Sequence, residues 1–63
     1  MNVDLESFGS KFVLYLIKNH EPVSADEIKT MANMRLLDVL PILAVLTDRG
    51  IVRETESGYV LCE

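Results

Sequence analysis

One cysteine, one histidine, two prolines, three glycines and no tryptophan leave this 63-residue chain with little of what chemistry usually needs. Cys62, alone, can form neither an internal disulfide nor a cysteine-based metal site, and it reads as a small apolar residue. His20 has no second His or Cys to complete a ligand set, so a solvated loop histidine is expected. No nucleophile stands beside a base, and no glycine-rich loop is present to hold a phosphate. Ser24, Asp26 and Glu27 sit at a helix start, where capping explains them without catalysis. The expectation is a chain that is not an enzyme, with no catalytic residues, no metal, no cofactor and no small-molecule substrate.

Positive charge is also scarce. Six Lys and Arg face ten Asp and Glu, a net charge of -4. Nucleic-acid binders draw most of their affinity from phosphate contacts, so this balance favours at most weak nucleic-acid binding. Long apolar runs are missing: the longest, Phe12–Ile17, is far below the roughly 20 residues that span a bilayer. Met1-Asn2-Val3-Asp4 lacks the basic start and apolar run of a secretory signal. A soluble, cytoplasmic protein without membrane contact is expected.

What the chain has in quantity is apolar side chains, 49% of its residues. A domain of this size buries only about 60% of its unfolded surface. Some of that apolar surface is therefore expected to meet a second copy or another protein.

Four segments follow from spacing and punctuation. The first helix is placed over 4–19, with Asp4 as N-cap and Glu6 in the first turn, or with a later start at Ser7 or Ser10 because Gly9 weakens the beginning. Phe8, Phe12 and Leu16 form one apolar row and Val13, Leu14 and Ile17 another. One row is expected in the core and the other against a partner. Asn19 can take a left-handed C-cap, and Pro22 disfavours helix at Glu21. Ser24-Ala25-Asp26-Glu27 matches a capping box and opens a helix over 25–32, with Ile28, Met31 and Ala32 inward and Asn33 ending it. Asp38 is expected to cap a third helix over 38–49. Pro41 would lie in its first turn, Val39, Ile42, Leu43 and Leu46 on its buried face, and Gly50 beyond its end. Ile51–Thr55 and Tyr59–Cys62 form a hairpin about Glu56-Ser57-Gly58, with Ile51, Tyr59 and Leu61 inward.

This order, together with "PVSADEIKTMANMRLLDVLPILAVLTDRGIV" from Pro22 to Val52, resembles the winged-helix superfamily, a variant of helix-turn-helix. The resemblance rests on Ser24, Ile28, Ala32, Asn33 and Met34, then Val39, Leu43 and Leu46, then Gly50-Ile51-Val52, without a gap. It implies one domain over 1–63 of class α+β, mainly α: a three-helix core followed by a C-terminal two-stranded β-hairpin wing. It also implies a third helix that enters the major groove and a wing that touches the DNA backbone or the minor groove.

The residues themselves argue against that use. With Val39, Ile42, Leu43 and Leu46 inward, the outward surface carries Leu37, Asp38, Leu40, Pro41, Ala44, Val45 and Asp48. Base reading needs donors and acceptors such as Arg, Lys, Asn or Gln, which that surface lacks. Leu37, Leu40, Pro41, Ala44 and Val45, with Phe8 and Phe12 on the first helix, are instead the expected protein interface. A homodimer is the first expectation, in a transcription-related or nucleic-acid-processing setting. Two alternatives stay open. One is a DNA-binding transcriptional regulator that uses Lys29, Arg35 and Arg53 for phosphates, with Arg49 as a further candidate contact. The other is an adaptor subunit of a larger complex.

Overall fold

The computed structural model describes residues 7–62. In chain order it has α1 (Phe8–His20), α2 (Ala25–Ala32), α3 (Leu36–Asp48), β1 (Val52–Thr55) and β2 (Gly58–Leu61). The layout is α+β, mainly α, three helices followed by an antiparallel hairpin. Among the described residues no helix is long and apolar enough to cross a membrane.

α1 takes the later of the expected starts. Ser7 is its N-cap, and the Ser7 Oγ accepts from the Ser10 amide at 3.2 Å. Asp4 and Glu6 lie outside the described residues. The helix also runs one residue further than 19, so His20 is a helical residue in the last turn and not a loop histidine. Asn19 is no left-handed cap either: its side-chain amide donates to the Tyr15 carbonyl at 2.8 Å, inside the helix. The stop falls at Glu21, which is extended (φ -60, ψ 140) ahead of Pro22, as the clash with a proline ring requires.

α2 has the expected bounds and caps. The Glu27 amide donates to Ser24 Oγ at 3.1 Å, and the Ser24 amide donates to Glu27 Oε1 at 3.0 Å. Asn33 ends it in the left-handed region (φ 55, ψ 43). Its buried side chain is Ile28; Met31, expected inward, is 39% exposed. Met31 follows Ile28 by three residues, about 60° away from it around an ideal helix. On so short a helix that offset carries it past the core.

α3 begins two residues before the expected 38. Arg35 is the N-cap, without a side-chain hydrogen bond, and Asp38 lies in the first turn. Asp38 suits that place because the helix start carries partial positive charge. Pro41 consequently falls in the second turn and removes the amide that would have bonded the Leu37 carbonyl. Leu37 is exposed, so water can reach that carbonyl. At the other end the Arg49 amide donates to the Val45 carbonyl at 2.9 Å, and Gly50 takes φ +72.

β1 and β2 pair in the register Val52↔Leu61, Arg53↔Val60, Glu54↔Tyr59 and Thr55↔Gly58. Ile51, Tyr59 and Leu61 pack against the core as expected, but the fully buried residue of the hairpin is Val52. The core itself is Val13, Leu16 and Ile17 from α1, Val23, Ile28, the four expected residues of α3, and Val52. Leu16 thus belongs with Val13 and Ile17, and the row that was to join it to Phe8 and Phe12 divides. The reason is that Leu16 lies about 40° further round the helix than Phe12, as the 3.6-residue turn dictates.

Val23 joins the hairpin to the helices. Its amide donates to the Tyr59 carbonyl at 3.1 Å, and the Tyr59 amide donates back at 2.7 Å. Gly58 makes this possible: a Cβ there would lie 2.7 Å from the Val23 carbonyl carbon, and its φ is +134. At Gly50 a Cβ would meet nothing within 4 Å. Gly58→Ala should therefore cost well over about 1 kcal/mol, and Gly50→Ala about 1–2 kcal/mol from its left-handed φ alone. Urea denaturation of both variants measures the order; equal losses would mean that the Val23 approach carries no weight.

Candidate interaction surface

The outward face of α3 is built by arithmetic. Leu37, Leu40, Pro41 and Ala44 follow one another at steps of three, one and three, so they form one row opposite the buried face. Leu37 is 75% exposed and Leu40 44% exposed; Ala44 is exposed and Pro41 half-buried. Val45, expected outward, is also half-buried. It stands only about 60° round the helix from Ile42, at the margin of the core face.

Charge around this row is arranged against an anion. Arg35 is taken up by Asp38: Arg35 Nε donates to Oδ2 at 2.9 Å, and Nη2 donates to Oδ1 at 3.3 Å. The hydrogen bond to Asp38, and then its charge, raise the Arg35 pKa. Leu40 also borders a cavity of about 280 Å³ between the start of α2, α3 and the hairpin, with Glu54 and Glu56 on its wall. Tyr59 faces the same cavity, and its phenol pKa is raised by burial and then by Glu54, its cross-strand partner. Beside that cavity the start of α2 already holds an anion of its own. The Ser24 amide and hydroxyl hold the Glu27 carboxyl below its usual 4.5, although the side chain is exposed.

The four bases considered for phosphates do not assemble on one element. Lys29 is half-buried on α2, Arg35 precedes α3, Arg49 follows it, and Arg53 is exposed on β1. Among the described residues no group of His, Cys, Asp or Glu side chains could hold a metal ion.

On α1, Phe8 and Phe12 stack with ring centroids 5.9 Å apart and planes 22° apart. Phe8 is 82% exposed, while Phe12 packs partly on the core. Tyr15, one turn further on and 60% exposed, extends this aromatic face. Sequence reasoning missed it because Tyr15 sits inside the apolar run Phe12–Ile17. The signal was its place at i+7 from Phe8 and i+3 from Phe12, which put it on the face away from Val13 and Ile17.

Comparison with protein-family models, with characterised proteins and with solved structures finds no match for this chain.

Glu27 offers a check on the electrostatics. Its folded pKa is lowered, so its contribution to stability is present above about 4.5 and is lost as pH falls through the folded value. The urea midpoint should therefore drop more steeply in the parent chain than in Glu27→Gln as pH falls below about 4.5. Parallel curves would show that the capping box contributes no pH dependence.

Proposed function

We propose that this chain is a winged-helix module that acts through protein–protein contacts and pairs with a second copy through the outward face of α3. The observation that carries the reading is the row Leu37, Leu40, Pro41 and Ala44, apolar and open at the place where a DNA reader of this kind presents donors and acceptors. Exposed apolar surface of this continuity marks an interaction site. Burial of each large side chain contributes about 1.5–3 kcal/mol.

The spacing of the row suits a two-fold pair. In an antiparallel crossing centred between Leu40 and Pro41, Leu37 of one copy faces Ala44 of the other. A large side chain then meets a small one twice, as an isologous contact requires. The Phe8–Phe12 stack is a second apolar surface available to a partner. The Arg35–Asp38 pair and the acidic wall formed by Glu54 and Glu56 support the same reading, since they oppose phosphate where the hairpin and α3 would grip it. The setting we propose is transcription-related or nucleic-acid-processing, with partner contacts in place of base reading.

Sedimentation across a concentration series should show a reversible monomer–dimer equilibrium. Leu40→Glu should shift it to monomer by at least about tenfold in Kd while the circular dichroism of the fold is kept. Fluorescence anisotropy with duplex DNA over a salt series should show only weak binding. Micromolar binding near physiological salt with a steep salt slope would overturn the reading in favour of a DNA-binding regulator. A monomer at high micromolar concentration would remove the dimer.

A further inference from the structure

The cavity beside Leu40 is built by residues from three elements. Ala25 at the start of α2, Leu40 on α3 and Tyr59 on β2 give it apolar walls, and Glu54 and Glu56 give it carboxylates. Leu40 stands about 60° round α3 from Leu37, on the side of the row that turns to the hairpin. The Tyr59 amide and carbonyl both bond Val23, so Tyr59 and Glu54 form a non-hydrogen-bonded cross-strand pair. Side chains stand closest in pairs of that kind. The Glu54 carboxylate therefore lies beside the phenol ring, and its charge is felt there. At about 280 Å³ the cavity is smaller than the roughly 300–1,000 Å³ of small-molecule pockets and suits one long side chain.

The carboxylates of this cavity are not engaged within the chain. Among the described residues neither Glu54 nor Glu56 has an ion pair or a side-chain hydrogen bond. No base lines the cavity. Arg53 neighbours Glu54 in sequence but points to the other face of β1, as strand alternation requires. Arg35 is held by Asp38, and Lys29 lies one turn beyond Ala25, outside the lining. The positive end of α2 borders the cavity too, but the Glu27 carboxylate already takes the Ser24 amide, and Asp26 adds a second acid in that turn. The charge left unmet is negative. The groove between α1 and the end of β2, lined by Leu14, Ile51 and Leu61, offers no such selection. Its Lys11 already has an interaction within the chain, and the Glu21 carboxylate stands at Leu61.

We infer that the cavity between α2, α3 and the hairpin receives an arginine of a partner protein. The guanidinium stacks on the Tyr59 ring and pairs with Glu54 and Glu56, while an apolar neighbour of the arginine rests on Leu40. Arginine fits where lysine does not, because its plane covers a ring and its fork serves two carboxylates with little loss of hydration. The inference goes beyond pairing through α3 and does not depend on it, since Leu37, Pro41 and Ala44 lie outside the cavity lining.

The test is an NMR titration of the full chain with three short, terminally blocked peptides. The first has Arg between two Leu; in the second, citrulline, a neutral isostere, replaces Arg; in the third, Gly replaces both Leu. The first should bind with a Kd of about 0.1–1 mM, about fivefold tighter than either control, and shift the amides of Ala25, Leu40, Glu54 and Tyr59. Glu54→Gln with Glu56→Gln should weaken it by about fivefold or more while the spectrum keeps its dispersion. Leu37→Ser, which weakens pairing through α3, should leave peptide binding unchanged. Equal binding of either control peptide, equal binding by the double variant, shifts centred on α1, or no binding at about 5 mM would each overturn the inference. So would loss of self-association in the double variant. That result would make the arginine one that belongs to another copy of this chain, and self-pairing would stand.

Discussion

The pair of backbone hydrogen bonds between Val23 and Tyr59 holds the two halves of this small molecule to one another. Val23, in the connection between α1 and α2, forms the backbone bridge to the hairpin and is almost wholly buried. Through it the hairpin is fixed to the helical layer, so that Val52 reaches the core and Leu61 lies beside α1. Both outer surfaces follow from this attachment. The cavity beside Leu40 needs the hairpin tip near α2, and the groove beside Leu14 needs the end of β2 near α1. Without a side chain at position 58 the backbones can approach; with one they cannot.

A chain of this length has more apolar residues than its interior can take. α1 and α3 each give one face to the core, and each keeps large apolar groups outside it: Phe8 and Tyr15 on α1, Leu37 and Leu40 on α3. The two outer faces differ in their company. α3 is accompanied by acids, with Arg35 at its start already paired to Asp38, whereas α1 carries lysine and no acid. Hydrophobicity alone would make the two faces interchangeable. Charge separates them.

Features set by a few neighbouring residues were legible in the sequence. The capping box at Ser24 and Glu27, the left-handed Asn33 and the turn at Gly50 all depend on chemistry within three or four positions, and all stand where expected. The buried face of α3 was equally clear because four branched side chains repeat at helical spacing. Less legible was anything decided by a second element. Met31 looked inward until the direction of Ile28 fixed the face of α2. Asp38 could serve as a cap or as a partner for Arg35, and only the true start of α3 separates those roles. In the hairpin, a shift of one residue exchanges the faces, and so the sequence pointed to Ile51 where Val52 holds the deepest place. The α1–β2 groove joins positions 11 to 18 with 51 to 62, a proximity that no local pattern encodes.

The Glu21 carboxylate beside the Leu61 amide has a consequence of its own. A two-stranded sheet ordinarily has two open margins, each a template for further strands and so for fibrous growth. Here the margin of β2 is occupied by Val23 and, one repeat along, by a side chain that imitates a neighbouring strand's carbonyl while carrying a full negative charge. The margin of β1 bears Arg53 and Glu54, both exposed, which resist stacking by another copy. The hairpin is thereby discouraged from polymerising through its backbone.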